Sequence, residues 1–254
     1  MDKKSAIILG GTIPHKYLID NLKKRGFYTI LIDYYQNPPA AANADEHIQE
    51  STMNKEAVLA IAYERKASLV ISGCIDQANI TACYVLEKLG LHVPYSYKAS
   101  LRVTDKELMK EGLDRARVPT AKYDILNFEN SIIYSPDCYP KVVKPCDANG
   151  SKGVRKVVND TELRSALEQA FEISRTKKVI IEDYIKGTEI NVYCYINDNN
   201  KATILFIKSK KLPNINKNSA LQSFFSLGPY NATSLVKGKI IKTIELISKE
   251  FDLV

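Results

Sequence analysis

KVVKPCDANGSKGVRKV, Lys141 to Val157, sets two short apolar runs on either side of a small, polar, turn-forming segment with basic residues at both ends. The β-branched valines give both runs strand character, and the Pro, Asn and Gly between them mark a turn. A loop of small residues lets backbone N–H groups come close to an anion such as a phosphate, and lysines add the full charge that N–H dipoles lack. Gly150, Ser151 and Gly153 are the loop members that allow such an approach. Lys144 ends the first strand and is fixed by Pro145, so its ammonium rides on a rigid element. Taken alone, the segment reads equally well as a mobile hairpin carrying solvated lysines.

Downstream, VIIEDYIKGTEINV offers a second half to such a site. A strand ending in Glu182 runs into an irregular Asp183-Tyr184-Ile185, which can present a carboxylate and backbone donors and acceptors to the polar edge of adenine. Tyr184 and Ile185 add apolar surface, and Glu189, past the Lys186-Gly187 turn, can accept hydrogen bonds from ribose hydroxyls. By itself Glu189 reads as an exposed strand carboxylate. Around these segments the chain predicts strands at KYDIL, YPKVVK, GVRKVV, KVIIED, EINVYCYI and ATILFIK with one helix at DTELRSALEQAFEIS, the pattern of an antiparallel α+β region. Upstream, VTDKELMKEGLDRARVP holds a helix in which Thr104 and Glu107 stand at capping-box spacing. The polar KLPNINKNSALQS reads as a loop before a last helix at SLVKGKIIKTIELISKEF.

The first part of the chain alternates differently. SAIILGG, YTILID and ASLVISG are short apolar strands, separated by helices that begin near Pro14, at NKEAVLAIAYERK and at QANITACYVLEKLG. Such a βαβαβα order implies a parallel sheet covered on both faces, a Rossmann-like layer. Gly10 at the end of the first strand and Asp33 at the end of the second invite a dinucleotide reading, but Gly11, Thr12, Ile13, Pro14 and His15 follow, so the G-x-G-x-x-G spacing is absent.

Bulk properties exclude several classes. With 254 residues, 45% of them hydrophobic and 26% charged, the chain suits one large or two modest domains burying roughly 70 to 75% of the unfolded surface. Its five cysteines are scattered, with no C-x-x-C pair, and its three histidines are too far apart in sequence for a metal cluster. No G-x-S-x-G elbow marks a hydrolase. The net charge of +7 suits an anionic partner. Nucleic acid ranks low because the basic residues alternate with acids and form no aromatic-basic stripe. No apolar run approaches the length of about eighteen needed to span a membrane, and the run after the basic start is short for a secretory segment, so the expectation is a cytoplasmic protein without a membrane partner.

V-V-K-P-x(4)-G-S-K-G-V, followed by I-I-E-D-Y-I-x-G-x-E-I, closely resembles the ATP-grasp superfamily of ligases, in particular its carbamoyl-phosphate-synthase-like and biotin-carboxylase-like members. The preceding IILGG, SGCIDQAN and EKLGLHVP look like that family's pre-ATP-grasp domain. The resemblance runs over nearly the whole chain, and the joined motifs are far more specific than either alone. It implies an α/β protein with a Rossmann-like pre-ATP-grasp domain over 1–97 and an ATP-grasp domain over 98–254, whose lid lobe covers about 138–185 and whose large lobe is incomplete.

Carried over residue by residue, the resemblance places Lys106 and Lys144 on nucleotide phosphates, and Gly150, Ser151, Lys152 and Gly153 in a flexible lid loop. Glu182 and the backbone of Asp183, Tyr184 and Ile185 match the adenine hinge, and Glu189 the ribose-binding acid. Lys106 falls in the first turn of its helix, which the helix dipole disfavours for a cation, so a functional reason outweighs a structural one. The implied chemistry is phosphoryl transfer from ATP to a small-molecule carboxylate, with Mg2+, giving an acylphosphate that an amine or similar nucleophile attacks. The family's metal-binding acids and asparagine follow a helix like that near Leu235 to Phe251, so the Mg2+ ligands are expected beyond Val254. A lobe lacking its last strands is expected to expose an edge and apolar surface, which favours a homodimer. The expectation is therefore an N-terminal portion of such a ligase, inactive by itself, and two other readings stand beside it: a catalytically inactive nucleotide- or protein-binding module, and an NAD-linked oxidoreductase resting on Gly10 and Asp33.

Overall fold

Alternate residues of the first strand, β1 (Ser5–Leu9), enter two different cores, because successive strand side chains point to opposite faces. In the computed structural model, which describes residues 3–211 and 225–254, helix α1 (Ile13–Lys24) follows and packs Ile19 and Leu22 against Ala6 and Ile8. Strand β2 (Tyr28–Asp33) divides its residues in the same way, Leu31 to the α1 side and Ile30 and Ile32 to the other. Beyond it lie strand β3 (Glu46–Gln49), helix α2 (Lys55–Glu64), strand β4 (Ala67–Ile71) and helix α3 (Asp76–Lys88). Val58 and Ala62 of α2 and Ala78, Ala82, Val85 and Leu86 of α3 close the second core over Ile7 and Leu9. The sheet is parallel throughout, in the order β3-β2-β1-β4.

Strand β3 is absent from the sequence expectation because EHIQ carries a single apolar residue. It forms an edge, where polar side chains are the rule, and Asp45 just before it accepts from Thr29 N (2.8 Å) and Thr29 Oγ1 (2.8 Å) to hold the register. The residues after α3 also differ from expectation. Helix α4 (Tyr97–Thr104) starts behind Ser96, whose Oγ accepts from Ala99 N at 3.0 Å, and it belongs to the first compact unit, Met1–Thr104 with Leu253. The second unit is Asp105–Asp252 with Val254, so the division falls after α4 and not before it.

The second unit opens with helix α5 (Lys106–Arg115), strand β5 (Tyr123–Leu126) and the short helix α6 (Phe128–Ser131). Strands β6 (Lys141–Pro145) and β7 (Arg155–Val157), helix α7 (Asp160–Ile173) and strand β8 (Val179–Asp183) complete its first layer. The sheet is antiparallel, in the order β5-β8-β6-β7, and α7 covers one face with Leu163, Ala166, Leu167, Ala170 and Phe171. A second antiparallel sheet holds β9 (Ile190–Ile196), β10 (Ala202–Lys211) and β11 (Phe225–Leu227), followed by helix α8 (Ser234–Phe251). Phe251 is buried against α5, where a Cβ on Gly112 would collide with its ring. Tyr195, Leu205 and Leu235 are exposed in this part of the unit. Most of the polar stretch read as a loop, residues 212–223, lies outside the described residues.

Candidate functional site

Helix α5 is capped by Asp105, whose carboxylate accepts from Leu108 N (3.1 Å), and not by the capping box expected from Thr104 and Glu107. Glu107 is instead paired with Lys178 at 2.6 Å, while Lys106 N donates to Cys146 O at 3.0 Å. These bonds dock the first turn of α5 at the end of β6, which brings Lys106 and Lys144 to one place. Lys106 Nζ donates to Ala148 O (2.6 Å) and Cys146 O (3.4 Å) at the base of the β6–β7 loop. Burial lowers its pKa, and the neighbouring Lys144 ammonium pushes in the same direction.

Strand parity assembles the rest. On β6 and β8, Val143, Val179 and Ile181 join the core under α7, so Val142, Lys144, Ile180 and Glu182 point to the other face. The register pairs Val142 with Glu182 and Lys144 with Ile180, which makes Lys144 and Glu182 diagonal neighbours on one face. Glu182 Oε2 is bonded by Lys144, and Oε1 by Lys110 of α5 at 2.6 Å. Burial pushes the Glu182 carboxyl up, but the two lysines outweigh it and hold the group below the ordinary carboxylate range. Lys110 is 3% exposed and also donates to Thr120 Oγ1 (2.5 Å) and Ala121 O (3.3 Å).

The hinge beyond β8 has its own bonds. Asp183 N donates to Lys122 O (2.9 Å) and Tyr184 N to Pro140 O (3.2 Å), which fixes the backbone of the hinge beside the cleft. The Asp183 carboxylate is cross-strand neighbour to Lys141 on the α7 side, 2.6 Å away, and that bond lowers its pKa. Lys156 Nζ lies 3.9 Å from the Tyr184 ring centroid, a cation–π contact between β7 and the hinge. Glu189 is half exposed and bonded by Lys210 at 2.5 Å.

The loop between β6 and β7 is tied at its start, where the Asp147 carboxylate accepts from Arg175 N (3.0 Å) and Thr176 N (3.0 Å). Gly150, Ser151 and Gly153 then take φ of 65°, 59° and 70°. The two glycines differ in kind. A Cβ on Gly150 would meet nothing within 4 Å, whereas one on Gly153 would press on Ile173 Cδ1 (2.8 Å) and Pro145 Cγ (2.9 Å).

Lys106, Lys144, Gly150, Ser151, Glu182, Asp183, Tyr184, Ile185 and Glu189 all line one cleft of about 460 Å³, within the range of small-molecule sites. Lys152 and Gly153 are not among its lining residues; Lys152 is exposed and Gly153 is fixed by packing. The sequence reading missed Asn149, whose buried Nδ2 has no hydrogen-bond partner among the described residues, and Lys110. The signal for Lys110 was its i,i+4 spacing from Lys106, which sets both on one face of α5. Another hollow, of about 700 Å³, is lined by Asp114, Asp124, Asp137, Lys141 and Asp183, and several of these are paired, as in Tyr123–Asp114 and Tyr134–Asp124, each 2.7 Å.

Gly10 and Asp33 do not form a dinucleotide site. The Asp33 carboxylate is buried and accepts from Gly11 N (2.6 Å) and Tyr35 N (2.9 Å), so it braces the turn after β1 and is neither a ribose ligand nor a solvated strand end. Among the described residues no three His, Cys, Asp or Glu side chains are grouped to hold a metal ion. No described helix is long and apolar enough to cross a membrane.

The sequence family described as D-ala D-ala ligase C-terminus matches residues 119–213. The formate-dependent phosphoribosylglycinamide formyltransferase of Sulfurisphaera tokodaii is 26% identical over 208 residues, 79% of this chain and 52% of that protein. The D-alanine–D-alanine ligase of Bacillus velezensis is 34% identical over 126 residues, 44% of this chain and 35% of that protein. Among solved structures, N5-carboxyaminoimidazole ribonucleotide synthetase in its ADP complex superposes with a TM-score of 0.78 at 19% identity, covering 100% of this chain and 65% of that one. At that identity the likeness is one of fold. The chain spans about half the length of the formyltransferases it matches, 52% and 48% for two of them.

Proposed function

We propose that the chain is an ATP-dependent ligase of the ATP-grasp type, which binds ATP in this cleft and activates a carboxylate as an acylphosphate for attack by an amine or similar nucleophile. The observation that carries the reading is the lining of the cleft, which joins two ammonium groups and the left-handed loop with the 183–185 hinge. An adenine nucleotide offers the complement of both, anionic phosphates and a flat hydrogen-bonding base.

In this reading Lys106 and Lys144 neutralise phosphate charge, and the loop from Gly150 to Ser151 supplies backbone N–H groups. The hinge carbonyls and the Ile185 N–H recognise the purine edge, and Glu189 turns from Lys210 to the ribose. A carboxylate oxygen attacks the γ-phosphorus, the bond to the β–γ bridging oxygen breaks, and ADP departs with that electron pair. The amine then attacks the acyl carbon and expels inorganic phosphate. The protein's share of such a reaction is alignment and charge neutralisation. Magnesium is typical of the superfamily, but the described side chains offer it no grouped ligands, so no step here is assigned to it.

Hydroxylamine trapping tests the reading. Protein, ATP and a panel of small carboxylates are incubated with hydroxylamine, and hydroxamate is measured beside ADP release. Hydroxamate formed with one class of carboxylate and dependent on Lys144 supports the ligase. ATP binding without hydroxamate or ADP would support a binding module, and no binding of ATP would end the proposal.

A further inference from the structure

Three donors of one buried lysine are spent on groups that are not ligands. Lys110 Nζ, 3% exposed, bonds Glu182 Oε1 (2.6 Å), Thr120 Oγ1 (2.5 Å) and Ala121 O (3.3 Å). An ammonium has three N–H donors, so Lys110 has none left for anything in the cleft. Its effect passes through Glu182, whose other oxygen is bonded to Lys144. Lys144 is the more exposed cation, with 27% of its side chain accessible, and it lines the cleft where Lys110 does not.

We propose that Lys110 is a positioning residue for the phosphate end of the cleft: it fixes the Glu182 carboxylate and shares its charge, so that a polyphosphate can draw Lys144 from Glu182 Oε2 without leaving the buried carboxylate unpaired. The inference rests on the nucleotide reading of the cleft. A carboxylate as buried as Glu182 demands a counter-ion. With Lys110 in place part of that demand is met on Oε1, and Lys144 can leave Oε2 for a ligand without stripping the carboxylate of every counter-ion. Without Lys110, Lys144 is the sole partner of a buried anion, and a phosphate must compete with it.

The charged and titratable groups facing Glu182 are Lys110 from α5 and Lys144 from β6, with Tyr123 opposite it on β5, whose ring centroid lies 5.2 Å from Lys110 Nζ. Lys106 lies close enough to Lys144 for that ammonium to lower its pKa. In the wild type both lysines keep Glu182 ionised across the neutral range. In a Lys110→Met variant burial is opposed by one lysine only, so the carboxyl pKa rises relative to wild type. As pH rises Glu182 ionises and takes Lys144 for itself, and as pH falls it protonates and releases Lys144.

The test is calorimetric titration of ADP and of adenosine into wild type, Lys110→Met and Lys110→Arg between pH 5.5 and 8. For Lys110→Met the expected result is ADP affinity at least about tenfold weaker at pH 8, recovering toward pH 5.5, with adenosine affinity within about threefold of wild type at every pH. Lys110→Arg, which keeps a buried cation, restores most of the loss. Equal loss for ADP and adenosine at all pH values would mean a merely structural lysine and overturn the inference, as would unchanged ADP affinity. Wild type that binds neither compound overturns the nucleotide reading and the inference with it. Should Lys110→Met fail to fold, the double variant Lys110→Met with Glu182→Gln leaves no unpaired buried charge and carries the test. ADP affinity within about threefold of wild type, with adenosine kept, supports the inference, because no carboxylate is left to hold Lys144, and ADP binding at least about fivefold weaker with adenosine kept overturns it.

Discussion

Replacing Lys144 by alanine separates the phosphate role from a structural one. Lys144 is bonded to Glu182 Oε2, yet it lines the cleft and its side chain is 27% accessible. A charge-assisted bond from this ammonium to a phosphate oxygen is worth about 1.5 to 3 kcal/mol, so Lys144→Ala is expected to weaken ATP roughly ten- to hundredfold. Because Lys110 still holds Oε1 of Glu182, the variant leaves a half-paired carboxylate and not a bare one. The loss of folding stability is then about 1 to 2 kcal/mol, below the 3 to 5 kcal/mol of a fully broken buried pair. Lys141→Ala is the control: it removes a lysine from the same strand, but one that pairs with Asp183 on the α7 side. Isothermal titration with ATP and adenosine, together with urea denaturation of each variant, measures both quantities. An unchanged ATP dissociation constant, or equal losses for ATP and adenosine, would refute the phosphate role of Lys144.

Further outcomes follow from the same geometry. Glu182→Ala leaves Lys110 buried with no carboxylate partner and is expected to destabilise the second unit by about 3 to 5 kcal/mol in urea titration. The depressed Glu182 pKa stabilises the fold above the ordinary value of 4.5; as pH falls through and below it the unfolded chain takes up the proton first, so stability declines. Measured from pH 6 to pH 3, that decline is expected to be shallower in Glu182→Gln, and an identical slope would show that Glu182 does not titrate below its ordinary value. Gly150→Ala is expected to lose only about 1 to 2 kcal/mol for its left-handed backbone, while Gly153→Ala loses more because its Cβ also strikes Ile173 and Pro145; equal melting temperatures would contradict this. Cys74 and Cys138 are exposed, whereas burial pushes the Cys83 thiol up to about 11 and the Cys146 thiol up to about 12. At pH 8 a thiol reagent is therefore expected to label the first pair rapidly and the second only on unfolding, as mass spectrometry of the labelled peptides would report.

The parts of the fold that were legible are those where one physical signal dominates. SAIIL and YTILID are buried on both faces and read as parallel strands without ambiguity, and the Lys141–Val157 segment declared its hairpin through valines around glycines. Alternation along β6 and β8 was also legible, and it is what brings Lys144 and Glu182 to one face. Strand β3 was not legible, since EHIQ owes its place to an edge position and to the Asp45–Thr29 bonds. The capping residue of α5 was misread because Thr104 and Asp105 are both competent caps, and the Lys178–Glu107 pair removes Glu107 from the box. Lys110 was hidden for a general reason: a lysine in an amphipathic helix reads as solvated, and only tertiary structure reveals a buried acid opposite it. The roles of the two lid glycines likewise depend on Ile173, a residue distant in sequence.

The most direct measurement is a crystal structure of the protein soaked with a nonhydrolysable ATP analogue. The account predicts the triphosphate between Lys106, Lys144 and the Gly150–Ser151 backbone, the purine edge against Asp183 to Ile185, and Glu189 turned from Lys210 to the ribose. An analogue bound elsewhere, or a cleft that stays closed by the Lys144–Glu182 and Lys210–Glu189 pairs at saturating concentration, would contradict it.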